Sequence, residues 1–180
     1  MRNIEIKARL ADIHKAEAVA QRLAGPSPHA RLHQIDTYFK VRSGRLKLRE
    51  SSGDKPGAQL VFYRREDHTG PKRSDYELIS VPDPAPLKST LTSALGVFVI
   101  VEKDRTIYLY KNVRIHLDKV AGLGAFLEFE AVMPDGAPDE EGHRLLDSLM
   151  REFSIAPEDL IDGSYSDMLM KTPKKPRRSS

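Results

Sequence analysis

The chain has 180 residues, 39% of them hydrophobic, no cysteine and a formal net charge of +3. That length and apolar content suffice for one sizeable core, and the lack of cysteine excludes disulfides, thiolate chemistry and zinc held by sulfur, so any metal must sit on oxygen or imidazole. There is no run of about 18 apolar residues and no charged segment leading into an apolar one at the start, so neither a membrane-spanning helix nor a secretory signal is expected, and a cytoplasmic location is.

In chain order, "RNIEIKARL" (2–10) alternates apolar Ile4, Ile6, Ala8 and Leu10 with polar Asn3, Glu5, Lys7 and Arg9, the period of a strand with two opposite faces. "DIHKAEAVAQRLAG" (12–25) reads as a helix with Asp12 as N-cap and Gly25 as stop. After the turn-rich "AGPSPHA" (24–30) come four strand-like segments, "HQIDTYFKV" (33–41), "GRLKLRE" (44–50), "QLVFYRR" (59–65) and "RSDYELISV" (73–81), parted by "SSGDKPGA" (51–58) and "TGPKR" (69–73). "VPDPAP" (81–86) leads into a helix, "PLKSTLTSALG" (86–96), that stops on Gly96. Three more strands follow in "VFVIVEKDRTIYLY" (97–110), "VRIHLDKV" (113–120) and "AFLEFEAV" (125–132). Beyond the break at "MPDGAPDEE" (133–141), "PDEEGHRLLDSLMREF" (138–153) is a helix opening on proline and three acids, and "PEDLID" (157–162) is a short turn. The tail 171–180, "KTPKKPRRSS", is too polar and basic to bury itself and is expected to be disordered, leaving one domain over 1–170. About eight strands with short connections predict a mainly β, α+β fold: an antiparallel sheet or barrel with packed helices.

The polar faces repeat one pattern. Leu46 and Leu48 oppose Arg45, Lys47 and Arg49; Val113, Ile115 and Leu117 oppose Arg114, His116 and Asp118; Leu127, Phe129 and Ala131 oppose Glu128 and Glu130; Tyr63 shares a face with Arg65, and Lys103 with Arg105. For any one strand this is the wet side of an antiparallel sheet. Solvated faces usually mix signs, however, whereas here Lys47/Arg49 and Lys103/Arg105 are cationic and Glu128/Glu130 anionic. Same-face neighbours lie roughly 6.5–7 Å apart, so such like pairs repel by on the order of 2 kcal/mol at an effective dielectric of about 20. A closed barrel would gather these faces inside, where a polyanion with a divalent cation is the economical compensating guest.

These residues resemble a known family. "IEIK", "DTYF", "GRLKLRE", "YRR", "EKDR", "VRIHLD", "GLGAFLEFE" and "SYSDML" (164–169), in this order over residues 2 to about 170, are similar to the CYTH superfamily of triphosphate tunnel enzymes, which includes class IV adenylyl cyclases and thiamine triphosphatases. The resemblance implies a closed eight-stranded antiparallel β-barrel with a polar lumen and helices packed outside, with Glu5, Lys7 and Arg9 pointing inward. It implies a magnesium or manganese ion on Glu5, Asp118, Glu128 and Glu130. It also implies a triphosphate held by Lys7, Lys47, Arg49, Arg65, Lys103 and Arg105, with Arg9, Arg73 and Arg114 at the margin. Glu5, Lys7, Arg49, Arg105 and Glu130 would carry the chemistry. Without metal the acids would repel one another, so at least one should titrate high. His116 lies on the same polar face, Tyr38 and Tyr63 read as wall packing, and Tyr165 as a group closing one tunnel end.

The implied reaction is metal-dependent hydrolysis of a small triphosphate or polyphosphate, whether inorganic tripolyphosphate, thiamine triphosphate or a nucleoside triphosphate. Cyclisation of ATP to cyclic AMP and pyrophosphate is the alternative, and it demands an adenine pocket for which the sequence has no signature. One departure stands out: the family motif is E-x-E-x-K, and its first glutamate is here Asn3, an uncharged acceptor and a poor base. A domain that captures triphosphate without turning it over is therefore a third reading. A nucleic-acid-binding barrel would explain the basic and aromatic residues but not Glu5, Glu128 and Glu130, which would repel phosphates. The sequence leaves monomer or homodimer open.

Overall fold

The computed structural model describes residues 2–65 and 70–171, without the side chains of Arg2, Arg65, Lys72, Arg73 and Ser74. The elements follow as β1 (Arg2–Arg9), α1 (Ile13–Ala24), β2 (Ala30–Phe39), β3 (Arg45–Gly53), β4 (Gly57–Arg65), β5 (Lys72–Ser80), α2 (Pro84–Leu95), β6 (Val97–Tyr110), β7 (Val113–Val120), β8 (Gly124–Val132), α3 (Asp139–Glu152), a 3-10 turn at Pro157–Asp159 and α4 (Tyr165–Lys171). All pairings are antiparallel, in the order β1-β5-β4-β3-β2-β6-β7-β8, and the ring closes at β1, which pairs with both β5 and β8. The two seams of β1 differ. Among the described residues, its ladder with β8 runs from Asn3↔Val132 to Arg9↔Phe126, whereas that with β5 spans Arg2↔Asp75 to Glu5↔Lys72, and the second half of β1 is met by an isolated bridge between Ala8 and Leu160.

Closure removes sheet edges and divides the alternating residues into an inner and an outer set. The apolar set faces out. Ile4 and Ile6 of β1, Ile115 and Leu117 of β7 and Leu127 and Phe129 of β8 form the main core with Ala16 and Ala20 of α1 and Leu146 and Leu149 of α3. The helices start and stop where their caps allow. Asp12 accepts from the backbone of His14 at 2.9 Å and Lys15 at 3.3 Å, and Gly25 takes φ 101° at the end of α1. Helix α2 begins two residues before the expected boundary because Asp83 caps it and proline suits its first turn. Strand β2 begins at Ala30, three residues early, and β3 and β4 extend into the predicted loop to leave a tight connection at residues 54–56.

The C-terminal segment is helical as α4, where the sequence had suggested only a closing motif. It packs Tyr165, Met168 and Leu169 against Tyr38, Val101, Val120 and Phe126, with Ile161 beside them, as an apolar plug in one end of the barrel. The Phe126 and Tyr165 rings lie 4.9 Å apart, and the Ile161 amide donates to the Lys7 carbonyl at 2.9 Å, tying the plug to β1. Residues 172–180 of the basic tail lie outside the described residues.

Gly142 marks a close approach of α3 to the barrel: a Cβ there would sit 2.9 Å from Ile4 Cγ1 and 2.9 Å from Met133 Sδ. In an open helix, glycine to alanine stabilises by roughly 0.5–1 kcal/mol. Here Gly142→Ala should instead destabilise by about 1–3 kcal/mol through overpacking, measured by denaturant unfolding.

Candidate active site

Alternation along six of the strands brings Asn3, Glu5 and Lys7, Gln34 and Asp36, Lys47 and Arg49, Lys103 and Arg105, Arg114 and His116, and Glu128 and Glu130 onto one cavity of about 930 Å³. Two ionic centres organise it. In the first, Asp36 accepts from Arg49 Nε and Nη2, each at 2.7 Å, from Lys47 Nζ at 2.9 Å and from Lys103 Nζ at 3.0 Å, and is only 1% exposed. Burial alone would raise its pKa, yet Arg49, Lys103 and Lys47 together hold it well below the usual carboxylate range. Lys103 pays for the crowding: burial pushes its ammonium down to about 7, with Asp36 opposing and Arg49, Arg105 and Lys47 adding to the fall.

In the second centre Arg105 forks onto Asp118 at 2.6 and 2.5 Å and reaches Glu128 at 2.6 Å. Glu128 also accepts from Lys7 at 2.7 Å, and Asp118 from the Tyr165 hydroxyl at 2.8 Å. The Lys7 ammonium sits 4.1 Å from the centroid of the Tyr165 ring, so the plug forms the floor of this centre. Toward the opposite end Glu130 accepts from Arg114 at 3.1 Å and from the Asn3 amide nitrogen. His116 lies 3.5 Å from Glu128 and 3.8 Å from Glu130, and burial, aided by Arg105, lowers its pKa.

For Glu128 and Asp118 the expectation of an acid that titrates high is corrected. Burial favours it, but Lys7 and Arg105 hold Glu128 well below the ordinary value, and Arg105 holds Asp118 down. Acids and bases interleave rather than forming separate halves, because register sets Asp36 opposite Arg49, Asp118 opposite Arg105 and Glu130 opposite Arg114.

Among the anticipated residues, Lys7, Lys47, Arg49, Lys103, Arg105, Glu5, Glu128 and Glu130 all border the cavity, and Arg114 does so from a half-exposed position. Arg9, expected to point inward, is exposed beyond the plug, stacked 5.3 Å from the Phe126 ring, because it pairs with Phe126 at the sealed end. Asp118 is fully buried, behind Arg105. The side chains of Arg65 and Arg73 lie outside the described residues. Asp36 carried no assignment in the sequence, although it shares a strand face with Gln34 and Tyr38 and sits in the quoted "DTYF". An acid on the inward face of a strand flanked by cationic strands was the available signal.

Among the described residues, no three His, Asp or Glu side chains stand ready as a metal cluster. The donor set nonetheless suits a hard cation. Glu5 and Glu130 are direct cross-strand partners, and the Asn3 side-chain oxygen is buried without a hydrogen-bond partner beside Glu130, so these three offer oxygen ligands, with the His116 imidazole 3.8 Å from Glu130.

Removing the anion from the first centre tests its weight. Asp36→Asn should cost about 3–5 kcal/mol in denaturant unfolding at neutral pH, because three buried cations lose their partner. Since the folded-state pKa is depressed, this contribution is present above the unfolded value of about 3.9 and is lost as pH falls through the folded value; the gap between wild type and variant should therefore close in acid.

The sequence matches the CYTH domain family profile over residues 1–165. No curated protein matches the chain. Among solved structures it is similar to the PH1012 protein from Pyrococcus horikoshii OT3, with TM-score 0.81 and 22% identity over 92% of this chain and 98% of that one. A conserved hypothetical protein from Pyrococcus furiosus gives 0.78 and 18% over 92% and 98%. A candidate adenylate cyclase from Vibrio parahaemolyticus gives 0.76 and 18% over 93% and 97%. At these identities the likeness is one of fold. With the closed barrel, the ionic lumen and a family match over nearly the whole domain, the chain belongs to the CYTH domain family.

Proposed function

We propose that this protein is a metal-dependent triphosphatase that binds a small triphosphate in the barrel lumen and hydrolyses its terminal phosphoanhydride. The observation that carries the reading is the convergence of Lys7, Lys47, Arg49, Lys103, Arg105 and Arg114 with Glu5, Asp36, Asp118, Glu128 and Glu130 in and directly behind the wall of one cavity. Those groups nearly cancel, leaving a single net positive charge. A triphosphate carries about four negative charges at neutral pH, so its entry unbalances the lumen unless cations accompany it. Charge balance thus supports a divalent metal, magnesium or manganese, as co-ligand.

Glu5, Glu130 and the Asn3 carbonyl oxygen would hold the metal, with Glu128 beside them. When bound, such an ion neutralises charge on phosphate oxygens and polarises the phosphoryl group. The chain's own residues do the rest. Arg49 presents a planar fork to phosphate oxygens, and Lys7, Lys47 and Lys103 supply compact charges along the wall. Asp36 and Asp118 keep Arg49 and Arg105 aimed before the substrate arrives, so little reorganisation is needed as charge shifts onto the leaving oxygen. The acid pair Glu5 and Glu130 orients a water toward the terminal phosphorus and accepts its proton as the new P–O bond forms and the anhydride breaks, releasing phosphate and the shortened chain.

A specific observation favours a second reading, capture without turnover. Asn3 stands at the first motif position and its amide nitrogen bonds Glu130, occupying the group that would otherwise take the proton. None of the described helices is long and apolar enough to cross a membrane.

The decisive experiment incubates the protein with magnesium or manganese and ATP, thiamine triphosphate or inorganic tripolyphosphate, quantifying phosphate and cyclic nucleotide together. Phosphate release is expected, lost on chelation, and reduced at least about 100-fold by Glu130→Ala or Arg49→Ala. Cyclic nucleotide as the product would make the protein a cyclase instead. Binding with no product from any substrate would establish capture, and Asn3→Glu should then restore turnover if the amide is its cause.

The pH dependence gives a separate check. Lys103 must be charged to hold phosphate, and its pKa of about 7 in the free protein rises when an anion binds beside it. Affinity for tripolyphosphate should therefore fall as pH is raised above about 7, by up to about tenfold per unit, and Lys103→Arg should flatten this slope in calorimetric titrations.

A further inference from the structure

Four of the eight large apolar side chains exposed among the described residues stand together on the outside of the barrel: Val41 at 37%, Leu95 at 36%, Phe98 at 41% and Ile100 at 51%. They gather where β6 begins. The Lys40 amide donates to the Gly96 carbonyl at 3.1 Å, which sets Val41 and Leu95 at one corner. Phe98 and Ile100 follow along the outer face of β6, alternating with Val99 and Val101, which pack on the plug. The patch lies in a gap in the helical cover. Register sets Ile100 opposite Thr37 and Thr37 opposite Leu48, and these two neighbours are fully buried where α2 packs on β2 and β3. Farther along β6, Tyr108 is buried with Ala16 and Ala20 of α1. The first half of β6 falls between the two helices.

A single exposed isoleucine is ordinary, whereas a contiguous apolar patch with a polar rim marks a contact site. The rim here is charged, and its sign changes from one end to the other. At the start of β6 the Lys40 ammonium lies 3.8 Å from where a Gly96 Cβ would stand, and Arg42 is exposed two residues on. Past Ile100 come Glu102 and Asp104 on the same outer face, with side chains 55% and 71% exposed; His33 lies 3.5 Å from Glu102 and 2.8 Å from Asp104. A surface that runs from basic through apolar to acidic is complementary to its own reverse. A two-fold axis across β6 near Val99 sets Phe98 of each copy against Ile100 of the other, and brings Lys40 to Glu102 once on each side of the axis. An anionic lipid surface would instead be repelled by the acidic end.

We infer that this patch is the two-fold interface of a homodimer, with Phe98 and Ile100 at its centre and reciprocal Lys40–Glu102 ion pairs at its rim. An apolar centre containing an aromatic ring, inside a charged rim, is the usual anatomy of a protein–protein contact. The interface lies on the back of the strand whose inner face carries Lys103 and Arg105, so it stays outside the lumen and does not depend on what the lumen binds.

Sedimentation equilibrium of the full chain at micromolar concentration tests it. All four substituted positions are exposed, so the variants should keep the circular dichroism of the wild type. The wild type should have twice the mass of one chain, and Ile100→Asp or Phe98→Asp should make it monomeric. Lys40→Glu and Glu102→Lys should each raise the dissociation constant at least about fivefold, because each sets like charges together twice, and the double reversal should return it to within about twofold of the wild type. A monomeric wild type would overturn the dimer and leave the patch to the basic tail 172–180 or to another protein. A dimer indifferent to Ile100→Asp, or a double reversal no tighter than the single ones, would overturn this interface.

Discussion

The structure depends on the neutralisation of buried cations by the chain itself. Lys47, Arg49 and Lys103 meet inside the barrel at 2.7–3.0 Å from one carboxylate, Asp36, and Arg105 is gripped by Asp118 and Glu128. Transferring such charges out of water costs several kcal/mol each unless they are paired and hydrogen-bonded. The pairing is incomplete at the first centre, where three cations share one anion. The depressed Lys103 pKa is a sign of that surplus, and the surplus is what a polyanionic ligand would satisfy.

An ionic interior forces the usual arrangement of core and surface to invert. Because alternate residues of each strand point to opposite sides, charges gathered inward leave the apolar residues outward, and α1 and α3 must cover them to form a core. The same geometry explains the tight contact at Gly142, where helix α3 has to approach the wall closely. The plug of α4 does the complementary task at one end of the lumen. By packing Tyr165 on Phe126 while donating its hydroxyl to Asp118, it keeps water from one side of the second centre and strengthens the electrostatics there.

Among the described residues the lining of the lumen is of two kinds. Strands β1, β2, β3, β6, β7 and β8 carry the charged groups, whereas the described cavity-facing side chains of β4 and β5 are uncharged. Charge supplies long-range attraction and fixed orientation; apolar contact discriminates only at short range, once the charged part is seated.

Much of this was legible in the chain. Strand periodicity depends only on neighbouring residues, so the eight strands, their two faces and the caps of α1 follow from local stereochemistry, and the ordered motifs were enough to indicate the family. Tertiary structure decided which faces meet. Asp36 could not be recognised as the counter-ion until register set it opposite Arg49, Arg9 keeps the inward alternation yet falls beyond the plugged end, and Asp118 stands behind Arg105 instead of on the cavity surface. Nor could the uncharged lining that the described residues of β4 and β5 give the cavity be seen one strand at a time, since its character comes from two strands lying side by side. Alternation is a property of a single strand, whereas pairing and closure join residues far apart in sequence, and in a tunnel the chemistry lies in those junctions.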